Sequence, residues 1–383
     1  MSTQKQLTHI AGTFVIQADG AFLNGAGLEQ GEDRTTTVPK TLLDGKTRIP
    51  YVSAQSWRRW LRNTLIEETG WEASEIRAIK FNKKGNTSKV SSEVNPVDFA
   101  EDDLFGYMRT AADEAEVQSD EGELAEPNED KAQSAQSTRG AKVKSVMRPS
   151  PFASSILVGI RRTNQLSIDK GYVFPKFDGV PQEGVEHNVT SLPYSTKFYV
   201  TNMHAVFCLD YSRLGVFRNI GDRVELAEEF IKPNLDGKKI KVIEELGERG
   251  RVYELTDTNQ RKSRACELLK ALVVLRGGAK QAQFGTSVSP TVIIAAGLVC
   301  GNPIFNHLFT DETDRGIELN VKTLKEVINE YADRIVTPVY IGIRKGFLAN
   351  EDDVYVLAQE LGKEKMIVTT PRDAMAQLTE KLR

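Results

Sequence analysis

Residues 48–70 read RIPYVSAQSWRRWLRNTLIEETG, and the reading of the whole chain turns on them. Ser53 suits a helix N-cap, because its hydroxyl accepts a bond from a backbone N–H of the first turn. Gly70 suits a stop, because glycine adopts the left-handed conformation that ends helices. The spacing predicts a helix over Ser53–Thr69. At about 100° per residue, Trp57, Trp60, Leu61 and Leu65 share a stripe roughly 140° wide, which is a core face. Gln55, Arg58, Arg59 and Arg62 fall on the adjoining face. Three arginines in the first half of a helix oppose a macrodipole that favours anions there. Something negative has to compensate. It is either a pair of carboxylates farther along, Glu67 and Glu68, or phosphate groups, which helix N-termini and guanidinium groups bind well. A solvated basic face is the plainer alternative.

Outward from this helix, THIAGTFVIQA from Thr8 reads as a first strand, followed by a glycine-punctuated loop to Pro50. SSILVGIRR from Ser154 and STKFYVTNMHAVFCLDYS from Ser195 read as two more strands. A second helix is expected over Asn259–Arg276, stopping at Gly277-Gly278, and SPTVIIAAGLVC from Ser289 as a fourth strand. The order β-α-β-β-α-β is ferredoxin-like and is shared by the RNA-recognition motif, so the fold class is α+β. A helix over Val321–Ile335 and the strand TPVYIGI finish the expected elements. The long stretches between elements suggest function carried on loops over a small sheet.

A chain of 383 residues makes one large domain or two modest ones, and 40 % hydrophobic content is ordinary for a globular protein. No apolar run reaches the roughly 20 residues that cross a bilayer, and the N-terminus lacks a secretory pattern, so a cytoplasmic protein without membrane partners is expected. Cys208, Cys266 and Cys300, like His9, His187, His204 and His307, are scattered without metal-ligand spacing; no metal or cofactor is expected. Residues 101–130 hold twelve acidic residues against Arg109 alone, a local −11, so the other 49 basic and 41 acidic residues leave +8. A mildly basic body permits nucleic-acid binding. Thr110–Gly140, rich in Glu, Ser and Gln and poor in aromatics, is expected to be a disordered acidic insertion, either a solvated loop or a mimic of nucleic acid.

Two glycine-dense loops stand out. LRGGAKQAQFGTSVSP from Leu275 offers backbone amides at Gly277 and Gly278 that can approach phosphate, with charge from Lys280 and a ring, Phe284, able to stack on a base. An ordinary C-cap and turn is the plain reading, and no Walker spacing is present. FLNGAGLEQGEDR from Phe22 fails the dinucleotide fingerprint. Its Asn24 and Arg34 suit either backbone contacts to a polyanion or a plain turn.

NGAG at Asn24, RIPYVSAQSWRRWLR from Arg48 and RGGAKQAQFGTSVSP from Arg276, taken in this order, resemble the Cas-seven family, and within it the DevR branch of type I-B CRISPR systems. The resemblance implies a right-hand shape: a single RRM-like palm over residues 1–383, a fingers-type insertion at 70–150, and a thumb-like hairpin at 170–197. It implies copies stacked head-to-tail on a CRISPR guide RNA, within a Cascade complex that also has capping, large, small and RNA-processing subunits and pairs the guide with a target DNA strand. The implied guide contacts are Asn24, Arg34, Arg48, Ser53, Gln55, Arg58, Arg59, Arg62, Arg161, Arg276, Gly277, Gly278, Lys280, Gln281 and Phe284. Val173, Phe174 and Phe177 are the implied thumb wedge, against the plain reading that they pack within a loop.

The resemblance also raises an enzymatic alternative. Related backbone subunits of type III complexes cut target RNA with an aspartate on the loop before the arginine helix, where this chain has Asp33 and Asp44. No paired carboxylates or nucleophile–base arrangement stand at meaningful spacing, and Asp44-Gly45 is a typical turn pair, so a non-catalytic protein is expected. A transcriptional regulator is a third class, but no short helix and turn precede the arginine helix as a helix-turn-helix requires.

Overall fold

The computed structural model describes residues 6–29, 36–75, 77–81, 87–91, 93–109, 145–161, 163, 165–174, 191–309 and 316–382. Arg34, Asp33, Phe177 and the acidic stretch 110–144 lie outside the described residues. The chain divides into two compact units: 1–68, 153–209 and 266–383 form the first, and 69–152 with 210–265 the second. The stretch 70–150, read from sequence as an insertion, supplies one segment of the second unit. Residues 210–265, which the sequence reads as part of the palm, supply the other segment.

The first unit is built on a long mixed sheet. Its central strand, His9–Ala21, is buried along most of its length because both faces are covered. Val292–Leu298 pairs antiparallel on one side of it, from His9 opposite Leu298 to Val15 opposite Val292. Leu192–Asp210 lies on the other side, and Leu157–Gly159 pairs antiparallel with that strand. The four strands of the β-α-β-β-α-β order thus stand side by side as fourth, first, third and second, the arrangement of a ferredoxin-like, RRM-like sheet. The two helices of the pattern are Ala54–Thr69 and Thr258–Val273.

Beyond the pattern the sheet grows at both edges. Thr47–Val52 pairs with Leu157–Gly159, then turns back through Gly45 onto Thr41–Asp44. On the other edge, Val339–Ile343 pairs antiparallel with Val292–Leu298, and Met366–Thr369 pairs parallel with Val339–Ile343. A parallel pair needs a crossover, which helix Glu351–Leu361 provides. Helix Pro371–Thr379, capped by the Thr370 hydroxyl, follows. The chain therefore does not finish at TPVYIGI; a helix, a strand and a helix come after it. The core under this edge joins Ile294, Leu298 and Ile341 of the sheet to Leu324, Ile328, Val354 and Leu357 of the helices.

Ser167–Val173 pairs antiparallel with the first half of Leu192–Asp210, from Ser167 opposite Phe198 to Val173 opposite Leu192. This two-stranded ribbon is broadened by Thr36–Pro39, parallel to the long strand, and by Gly25–Leu28.

The second unit has a six-stranded sheet in the order Ile240–Glu245, Gly250–Leu255, Val216–Ile220, Arg223–Val224, Val146–Arg148 and Tyr107–Arg109, with a separate hairpin of Arg77–Phe81 and Thr87–Ser91. One apolar cluster of this unit joins Val97, Phe217, Leu226, Ile240, Tyr253 and Leu255. A buried ionic network adds to it. Arg148 pairs with Asp103 and, at 3.1 Å, with Glu225, all three fully buried, while Arg264 Nη1 reaches the other Asp103 oxygen at 2.6 Å. Buried charges persist only when paired and hydrogen-bonded. These are: Arg148 also donates to the carbonyls of Val216 and Arg213, and Arg264 to those of Pro96 and Val97. The two ends of the acidic stretch enter this sheet as neighbours, with Arg109 opposite Val146.

Candidate functional site

The three motifs singled out by sequence come together in the first unit. Ser53 starts the arginine helix: its hydroxyl meets the Ser56 hydroxyl at 2.8 Å and accepts from the Ser56 N–H at 3.4 Å. The Ser53 N–H in turn donates to Asn24 Oδ1 at 3.2 Å. Asn24 therefore ties the first glycine-dense loop to the start of the helix. On the core side, Trp57 lies edge-on to Phe14 with ring centroids 5.4 Å apart, and its indole N–H donates to the Ser155 carbonyl at 2.7 Å.

The second glycine loop is fastened to the same helix. The helix expected to reach Arg276 ends at Val273. Past that end the Arg276 N–H donates to Thr64 Oγ1 at 3.1 Å, and its guanidinium pairs with Glu67 at 3.3 Å and with Glu68. Glu67 and Glu68, the carboxylates the sequence offers to the helix arginines, thus pair with Arg276. Gly277, with φ of 145°, lies on Trp60, where a Cβ would come within 2.3 Å of the indole Cγ. Leu23 completes the junction: its carbonyl accepts from the Ala279 N–H at 3.0 Å, and its own N–H donates to the Tyr199 hydroxyl oxygen at 3.3 Å. Burial raises the Tyr199 pKa, so that hydroxyl stays protonated.

The loop then meets the root of the ribbon. Lys280 Nζ donates to Thr196 Oγ1 at 2.5 Å and sits 5.1 Å from the centre of the Phe22 ring. Gln283 donates to Asp169 Oδ2 at 2.6 Å, and Phe284 lies against Phe198 with centroids 5.4 Å apart. Gln281 turns its amide back onto the Gly277 carbonyl. Lys280, Gln281 and Phe284, read from sequence as guide contacts, all have partners within the protein. Thr196, Phe198 and Asp169 carried no sequence signal, because they look like ordinary strand residues.

The arginines occupy a different flank. Gln55 and Arg59 are exposed, Arg58 and Arg62 half-buried. The pKa of Arg58 is lowered, first by burial and then by the Arg62 guanidinium beside it. On helical geometry the Arg58–Arg62 face stands roughly 160° from the Trp60–Thr64 face that carries the glycine loop. The arginines and the Gly277 contact therefore lie on different faces of the helix. Arg59 stands between the two flanks on the exposed side. Arg48 and Arg161 are both exposed, and Arg48 exchanges two backbone bonds with Thr163. Asp44 lies at a tight hairpin turn, where its carbonyl accepts from the Thr47 hydroxyl at 2.8 Å.

On the ribbon, Tyr172, Val173, Phe174 and Leu192 are 63 %, 55 %, 73 % and 67 % exposed. Val173 and Phe174 are thus exposed among the described residues.

This combination defines an RRM-like α+β protein that carries a basic helix and a ribbon with exposed apolar side chains. The chain belongs to the family described as CRISPR-associated negative auto-regulator DevR/Csa2, whose pattern matches residues 23–315. The match takes in all three motifs and stops before the C-terminal helices. Solved structures similar to the chain include a subunit of a "CRISPR RNA-guided surveillance complex, pre-nicking", with TM-score 0.49 and 10 % identity over 98 % of this chain and 100 % of that one. A second, from a "CRISPR RNA-guided surveillance complex", has TM-score 0.41 and 11 % identity over 97 % and 99 %. No curated protein matches.

Proposed function

We propose that this protein is a guide-RNA-binding backbone subunit of a Cascade-type surveillance complex, of the type I-B branch its motifs resemble. Membership of a CRISPR-associated family, across the stretch that holds the arginine helix, carries the reading. Arg58, Arg62 and exposed Arg59 grip phosphates, which makes binding independent of base sequence. That independence is what a guide of variable sequence requires, base reading being left to pairing with a target DNA strand. Copies add head-to-tail along the RNA, a heterologous contact that need not close, and other Cascade subunits cap and complete the assembly in the cytoplasm. The family's description as an auto-regulator favours a DNA-binding reading, but strand Thr47–Val52, not a short helix, precedes the arginine helix.

Purification after nuclease treatment tests the proposal: small RNA protected at regular intervals is expected, and RNA-free protein with no affinity for RNA at low salt would refute it. The subunit is proposed to be non-catalytic. RNA cleavage in the presence of a divalent metal, abolished by Asp44→Ala or Asp33→Ala, would overturn that.

A further inference from the structure

Lys280 looks, from sequence, like a phosphate ligand on a glycine loop, yet its ammonium lies inward. It donates to the hydroxyl of Thr196, which is 2 % exposed, and rests against the Phe22 ring. It also holds a left-handed backbone conformation, φ 53°, rare for a residue with a side chain. Such a conformation persists where its surroundings over-determine it. The next residues act in the same direction. Gln283, exposed, reaches Asp169 on the opposite ribbon strand, and Phe284 packs on Phe198.

The three partners lie on one face of the ribbon. Asp169 pairs in register with Thr196 and Ser167 with Phe198, so Asp169, Thr196 and Phe198 share a side, two residues apart along their strands. Gly171 and Tyr194 continue that side, with the Tyr194 ring lying over Gly171. Between Lys280 and Phe284 the loop makes only one short helical turn, Gln281–Phe284. All three contacts therefore come from a single rigid corner. At its other end this corner is fixed to the arginine helix through Gly277, Trp60, Arg276 and Thr64.

We propose that Lys280 and Gln283 are positioning residues that clamp the ribbon root to the arginine helix. The exposed Val173 and Phe174 on the ribbon and the phosphate-gripping face then stand at a fixed separation. This deepens the RNA-binding reading. If the helix grips phosphates and the ribbon displaces a base, their separation sets the interval at which bases are displaced. Lys280 then sets geometry without touching RNA.

The test uses the full chain and four variants, Lys280→Met, Thr196→Val, Gln283→Ala and Asp169→Asn. Met keeps the stem over Phe22, and Asn keeps an acceptor for Gln283. Two readouts are taken. The first is salt-dependent binding to single-stranded RNA of mixed sequence. A lysine bound to phosphate contributes about 0.7 to the slope of log K against log salt. A clamp contributes none. The expected result is that Lys280→Met and Thr196→Val both leave the slope unchanged and both blur the regular nuclease-protection pattern. A slope loss of about 0.7 in Lys280→Met, absent from Thr196→Val, would overturn the proposal.

The second readout is hydrogen exchange of RNA-free protein, which stands apart from the function. Amides of 167–173 and 192–198 should exchange about two- to tenfold faster in Lys280→Met, Thr196→Val and Gln283→Ala, the effect of losing one hydrogen bond. Asp169→Asn should exchange like the parent. Unchanged exchange in all three would refute the clamp even in a protein that binds RNA. Faster exchange in a protein that binds no RNA would keep the clamp and sink the RNA reading.

Discussion

Gly277 rests on the indole of Trp60 so closely that a Cβ at this position would sit 2.3 Å from Cγ. The contact joins the glycine loop to the arginine helix, and only glycine tolerates both it and a φ of 145°. Gly277→Ala should cost about 2–4 kcal/mol, from overpacking and backbone strain together. Gly285→Ala is the control. It also has a positive φ, 59°, but nothing lies within 4 Å of its Cβ position, so only about 1–2 kcal/mol is expected. Urea unfolding of both variants checks the ranking; equal losses would show that the indole contact contributes nothing.

Arg58 and Arg62 sit close enough for one charge to depress the other's pKa, an arrangement that a bound polyanion relieves. Changing both to alanine should weaken binding to all RNA sequences about equally and lower the salt slope by about 1.4, two phosphates' worth. Fluorescence titrations on unrelated sequences at several salt concentrations measure both. A loss confined to some sequences would point to base contacts instead.

The β-α-β-β-α-β frame was legible because each element carries a local signal: apolar runs for the strands, Ser53 and Gly70 for the helix ends. The last residues carried signals just as plain, an acidic first turn at Glu351–Asp353, Gly362 after the helix, and Thr370-Pro371 at the next start. These elements too are legible in the sequence. The second unit was not. Its strands are short, and Asp103, Arg148 and Arg264 look like surface residues until distant segments bring them together. Periodicity rightly separated the arginine face from the tryptophan face. It could not show that the glycine loop would choose the tryptophan side, since that depends on contacts such as Arg276 with Thr64, more than two hundred residues apart.

In the second unit, Asp103 pairs with both Arg148 and Arg264. Asp103→Ala leaves two buried guanidinium groups without that carboxylate, and should cost about 3–5 kcal/mol, the usual penalty for breaking a buried pair. Asp103→Asn keeps the shape and some acceptor capacity and should fall between. Urea unfolding followed by far-UV circular dichroism reports the loss. An alanine variant as stable as the parent would mean that the network contributes specificity alone.

His204 lies half-buried on the long strand beside Leu157–Gly159. Its pKa is lowered, first by burial and then by the charge of His307. The sign follows from linkage. A base whose folded pKa lies below its unfolded value, about 6.5 for histidine, binds more protons when unfolded, so stability falls as pH drops through that value. The parent should lose stability between pH 7.5 and 5.5, and His204→Gln should lose less. Urea midpoints at the two pH values decide it; parallel losses would assign the acid sensitivity elsewhere.

The ribbon offers the sharpest separation of folding from binding. Val173 and Phe174 expose more than half their surface, so replacing both with serine should change stability by no more than about 0.5 kcal/mol. Stacking or wedging against a base contributes about 1–3 kcal/mol, so RNA binding should weaken at least about fivefold. The salt slope should stay that of the parent, because no phosphate contact is removed. Chemical probing of unpaired bases along the bound RNA should at the same time lose its regular pattern of reactive positions. The opposite outcome, lowered stability with affinity and reactivity unchanged, would mean that these side chains pack within the protein and displace no base.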